Sequence, residues 1–118
     1  MIYKEKTCYI AGPMTGLPEF NYPSFHKAEN FLKKIFKKVI NPARNFKGDQ
    51  TLDRPTYLRE GIRQVTFEAD CIVLLKGWKK SDGALLEVNI AEQLKLPVVK
   101  LKDIKKVVDI EKNSVSNK

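Results

Sequence analysis

Histidine is nearly missing from this chain, cysteine and tryptophan are scarce, and no long apolar run occurs. The one histidine, His26, has no Ser, Cys or carboxylate motif beside it, so a surface or packing role is expected. The two cysteines, Cys8 and Cys71, each lie in an apolar, strand-like run with no His or second Cys at ligand spacing. They are expected as buried thiols in a reducing cytoplasm, not as a disulfide or a zinc site. No stretch approaches the roughly 20 apolar residues of a membrane span. The N-terminal MIYKEKTCYI lacks a signal-peptide core and cleavage site. There is no internal repeat, no low-complexity segment, and neither a Walker nor a GxGxxG motif.

What is present suits one soluble domain with a real core: 118 residues, 42% of them hydrophobic. The net charge is +8. Residues 27–47 carry Lys27, Lys33, Lys34, Lys37, Lys38, Arg44 and Lys47 against Glu29. Such a stretch reads as a solvated helix face plus a basic loop, or as a surface for an anionic small ligand. Nucleic acid is the least favoured partner, because basic and aromatic residues do not interleave and no nucleic-acid motif is present.

Periodicity gives an alternating order. Thr7–Ala11 is a strand ended by Gly12-Pro13, and a Gly/Pro-rich loop follows to about Tyr22. PSFHKAENFLKKIF places Phe25, Ala28, Phe31, Leu32 and Ile35 at helical spacing, with Pro23 suited to the first turn. KKVINP is a second strand stopped by Pro42, and a charged loop runs to Arg54. PTYLREGIRQVTFEA is a second helix, with Thr56 as N-cap and Leu58, Ile62, Val65 and Ala69 on one face. DCIVLLK is a strand buried on both faces. A third helix spans about Asp82 to Lys95, and LPVVKL is a fourth strand. Residues 103–118 form a tail expected to add one helix turn or a short strand before fraying. Alternation with short connections predicts a doubly wound α/β domain over 1–102, flavodoxin-like or Rossmann-like, with a parallel sheet in the order 2-1-3-4. Ligands of such sheets bind beyond the strand C-termini, near the switch point between strands 1 and 3.

Glu87 is the residue out of place. At about 100° per residue, it falls inside the apolar arc formed by Ala84, Val88, Ala91, Ile90 and Leu94. A carboxylate on a buried helix face needs a partner or a task. It can act as nucleophile at a glycosidic carbon. Ser81 and Gly83 open the same helix, whose free N–H groups and dipole favour an anion, and Ser81 also suits a helix cap. Lys79 and Lys80 add charge there. In the loop after strand 1, Gly12 and Gly16 allow close backbone approach, and Thr15 offers a hydroxyl. Period-2 alternation puts Tyr9 with Ala11 on one face and Cys8 with Ile10 on the other. Trp78 either stacks on a base or closes the turn. Asp70 starts strand 3, at the end away from the crevice, and is read as structural. No metal or redox cofactor is implied.

YIAGPMTG, NYPSF, VINPA, ADCIVLLKGW and SDGALLE together resemble the nucleoside 2-deoxyribosyltransferase-like superfamily. The likeness is to a small phage and bacterial group of unassigned function, and covers residues 7–101. It implies a doubly wound homodimer or higher homo-oligomer that cleaves or exchanges the N-glycosidic bond of a deoxynucleoside or deoxynucleotide. It assigns Glu87 as nucleophile and Tyr9 as its support. With Ser81 matched to the family residue that meets the substrate's 5′ end, the expected substrate-binding residues are Ser81, Gly83, Gly12, Pro13, Met14, Thr15, Gly16 and Trp78. Ser in place of Asp at 81 resembles the members that bind a 5′-phosphate. Two positions depart from the pattern. Ile62 stands where active members carry a second acid, leaving Glu60 as the nearby candidate, and Val88-Asn89 replaces Leu-Gly after the nucleophile. A non-catalytic nucleotide sensor or sequestering protein is the alternative.

Overall fold

A computed structural model of the chain describes residues 3–116. Four strands, β1 (Thr7–Ala11), β2 (Lys38–Ile40), β3 (Cys71–Leu74) and β4 (Val98–Lys100), alternate with four helices, α1 (Tyr22–Leu32), α2 (Arg54–Phe67), α3 (Asp82–Gln93) and α4 (Leu101–Ser116). All strand pairs are parallel, in the order β2-β1-β3-β4, as the alternation predicts.

Each face of the sheet has its own core, fixed by the pleat of β1. Cys8 and Ile10 pack with Phe25, Ala28 and Leu32 of α1 and Ile104 of α4. Tyr9 and Ala11 pack with Val65 of α2 and Ala84, Val88 and Ala91 of α3. Both cysteines are free and buried, and burial pushes the Cys71 thiol up to about 12. Asp70 acts as a tie at the foot of the sheet. Its Oδ2 accepts from the Thr7 N–H at 2.8 Å, and its own N–H donates to the Thr7 carbonyl at 2.8 Å.

Three expectations are corrected. The cap of α2 is Asp53, not Thr56: Asp53 Oδ1 accepts from the Thr56 N–H at 3.0 Å, so the helix starts at Arg54. The buried stripe of that helix is Gly61, Gln64 and Val65, while Leu58, Ile62 and Ala69 lie half-buried at its border. The expected tail from residue 103 is most of a 16-residue helix that follows β4 directly, since Leu101, Ile104 and Val108 recur at helical spacing against the core. Residues 117 and 118 of that tail lie outside the described residues. Among the described residues no helix is long and apolar enough to cross a membrane.

Candidate active site

A cleft of about 530 Å³ opens beyond the C-terminal ends of β1, β2 and β3. The loops after all three strands line it, as do the first residues of α1, α2 and α3, namely Tyr22, Arg54 and Asp82. Three helix N-termini therefore face one cavity, and their dipoles favour negative charge there.

Tyr9 and Glu87 meet in this cleft. Tyr9 arrives from β1 because the pleat turns it toward α2 and α3. Glu87 arrives from α3 because helical phase puts it beside the buried Ala84, Val88 and Ala91. The Tyr9 hydroxyl donates to Glu87 Oε2 at 2.5 Å. Glu87 is 8% exposed. Burial pushes its carboxyl up to about 7, against the opposing pull of the Tyr9 hydrogen bond. Burial first, and then the Glu87 charge, hold the Tyr9 phenol well above its usual range, so it stays a donor.

Gly61 makes room for this pair. A Cβ there would stand 2.5 Å from Glu87 Oε2 and 2.8 Å from the Tyr9 hydroxyl. A helix-interior glycine costs roughly 1 kcal/mol against alanine, and here the gain is close approach of the α2 backbone to the acid. Sequence reasoning passed over Gly61, although glycine inside a helical pattern is the available signal.

Ser81 caps α3: its Oγ accepts from the Ala84 N–H at 3.1 Å. The hydroxyl hydrogen stays available to a ligand. Ser81, Gly83, Gly12, Pro13, Met14 and Thr15 all line the cleft. Gly12 lies tight on the residue that follows β3, where a Cβ would come within 2.9 Å of Leu75 Cβ.

Gly16, Trp78 and Glu60, expected at the site, do not line it. Gly16 supplies a left-handed turn with φ +83°. Trp78 packs into the core on the α2/α3 face, with Lys79 Nζ 5.9 Å from its ring centroid. Glu60 is held by Arg63, whose Nε donates to Glu60 Oε1 at 2.7 Å, and Arg63 also pairs with Glu68 at 2.7 Å. Ile62 is half-buried and outside the cleft as well.

The structure adds residues that the sequence did not single out. Phe20, Tyr22 and Tyr57 form an aromatic wall of half-buried rings. Phe20 reaches it through three left-handed residues, Glu19, Phe20 and Asn21, anchored where Asn21 Nδ2 donates to the Pro13 carbonyl at 2.9 Å. Tyr57 is fixed by donating to the Asp49 carbonyl at 2.5 Å and accepting from the Leu52 N–H at 2.9 Å. Arg54 and Lys80 supply the cations of the lining. On the β2 side, Asn45 and Gln64 exchange amide hydrogen bonds of 3.0 and 2.9 Å. His26 lies beside the site, with Nδ1 3.1 Å from Asn41 Nδ2, in a network that includes Glu29. Among the described residues no group of three His, Cys, Asp or Glu side chains is placed to hold a metal ion.

A carboxylate with a fixed phenol donor, an anion-favouring rim and an aromatic wall can attack an electrophilic carbon of a ligand that carries an anion and a flat ring. No curated protein and no solved structure matches the chain. Residues 6–100 match one family model, and the chain belongs to the family it describes, Domain of unknown function (DUF4406).

Proposed function

We propose that the protein is an N-glycosidase or deoxyribosyltransferase-like enzyme acting on a nucleoside 5′-monophosphate. The observation that carries this reading is the Tyr9–Glu87 pair, 2.5 Å apart and buried in a cleft at the strand C-termini. Glu87 attacks C1′ of the sugar and Tyr9 orients it. Ser81, the Gly12–Thr15 backbone, Lys80 and Arg54 receive the phosphate. The aromatic wall receives the base. The resemblance of the SDGALLE segment to the deoxyribosyltransferase-like superfamily supports the same roles.

The test is incubation with ribo- and deoxynucleoside monophosphates, followed by chromatography for free base, with Glu87→Ala alongside. Free base from the wild type and none from the variant is the expected result. Equal release by both would sink the mechanism.

The position of Glu60, held by Arg63 outside the cleft, favours a second reading: nucleotide binding without turnover. That reading predicts saturable binding by calorimetry and no free base after long incubation.

A further inference from the structure

Departure of an ordinary base from C1′ needs a proton donor, which general acids supply. Among the described residues lining the cleft, only Asp82 and Glu87 carry carboxyl groups. Glu87 is the nucleophile, and Asp82 is exposed in the first turn of α3, open to water. The phenols are no better placed. Tyr9 is committed to Glu87. Tyr57 already donates to the Asp49 carbonyl. The Tyr22 phenol is held above its ordinary range by burial first, then by Tyr57 and Asp49 nearby.

The same groups suit a positive ring. Phe20 and Tyr22 line the cleft with ring centroids 6.3 Å apart and planes tilted by 46°, and the Asp49 carboxylate lies close enough to act on Tyr22. Aromatic faces attract cations by cation–π interaction. Glu87 gains no stabilising cation from the protein, so a positive ligand would favour its ionised, nucleophilic form.

We propose that the substrate is a 5′-nucleotide whose base is a cationic nitrogen heterocycle, with the positive charge in the ring that bears the glycosidic nitrogen. This rests on the glycosidic reading above. Glu87 Oε forms a bond to C1′ as the C1′–N bond breaks. The electron pair of that bond cancels the charge of the ring, so the base leaves neutral without accepting a proton. Water then attacks C1′ and breaks the ester. Its hydroxyl stays on the sugar, its proton goes to solvent, and Glu87 returns as carboxylate.

The experiment compares N7-methylguanosine 5′-monophosphate and nicotinamide mononucleotide with GMP and dGMP, each corrected for its rate without protein. The expected result is a kcat/KM at least roughly 100-fold higher for the cationic pair, the size of the missing acid catalysis. Tyr22→Leu, checked for folding by circular dichroism, is expected to narrow that ratio about tenfold. Faster or equal release from GMP or dGMP overturns this inference and leaves the N-glycosidase reading standing. A preference untouched by Tyr22→Leu overturns its assignment to the aromatic wall. No base from the cationic pair, with the protein folded, overturns this inference, and no base from them or from any monophosphate of the panel above overturns both readings.

Discussion

The hydroxyl of Tyr9, on the inner strand β1, lies 2.5 Å from Oε2 of Glu87, in the second turn of α3, and no other residue makes a hydrogen bond to that carboxylate among those described. Glu87 therefore depends on one phenol for whatever stability its charged form has. In Tyr9→Phe the lowering influence is lost and the carboxyl moves further above about 7. A hydrogen bond to a charged group is worth roughly 1.5–3 kcal/mol, so turnover at pH 7 is expected to fall roughly 10- to 100-fold. The acid limb of the pH–rate profile should move to higher pH. A limb that stays in place would show that Tyr9 does not hold the ionised form.

Gly61→Ala separates close approach from helix propensity. Alanine is the better helix former by roughly 1 kcal/mol, so an uncrowded site would be stabilised. Here the new Cβ meets Glu87 Oε2 at 2.5 Å. Overpacking of this kind costs about 1–3 kcal/mol. The expected outcome is a lower urea midpoint together with lost activity. A higher midpoint would mean that α2 does not lie against the acid as described.

Stability should also follow the Glu87 proton. The folded state raises this carboxyl from 4.5 to about 7, so it binds the proton more tightly than the unfolded chain does. The associated stability is full below about pH 4.5 and is lost as pH rises through about 7. It amounts to about 3 kcal/mol at most. The groups facing Glu87 are Tyr9 from β1, which stays protonated, and the uncharged Gly61 from α2, with Glu60 acting at longer range on Tyr9. Urea midpoints of wild type and Glu87→Gln, compared across this window, should converge toward low pH and separate toward neutrality in favour of Gln. Parallel curves would show that Glu87 titrates like a surface carboxylate.

These residues show what a sequence can reveal. Strand order followed from alternation of element types, and the two faces of β1 followed from its pleat. Glu87 was visible because helical phase is a local property, and its neighbours Ala84, Val88 and Ala91 set that phase. Gly61 was not, because its meaning lies in a contact with residues 26 and 52 positions away in the chain. The N-cap of α2 was misplaced at Thr56 for another reason. Asp53 and Thr56 are both good caps, and only the extended backbone at Asp53, φ −75° and ψ 159°, decides between them. Leu94 fell in the apolar arc of α3 by phase, yet it is 46% exposed because the helix ends at Gln93. The aromatic wall was illegible because Tyr57 of α2 joins Phe20 and Tyr22 from more than 30 residues further along the chain, and the left-handed turn at Glu19–Asn21 that places Phe20 has no glycine to announce it.

Ser81 carries two assignments that one pair of variants can separate. As a cap it satisfies the Ala84 N–H at 3.1 Å. As a ligand group it presents a hydroxyl hydrogen to the phosphate in the proposed reaction. Ser81→Ala removes both, so it should lower stability by about 1 kcal/mol and raise KM. Ser81→Asp keeps an oxygen acceptor for Ala84 and, as a good cap with a charge that suits the helix dipole, should retain wild-type stability. It also sets a carboxylate against the phosphate. Affinity for nucleoside monophosphates should then fall at least tenfold, while the phosphate-free nucleosides lose little. Calorimetric titration of the two variants with matched nucleotides and nucleosides reads this directly. Equal losses for both ligand types in Ser81→Asp would place the phosphate elsewhere in the cleft and leave Ser81 as a cap alone.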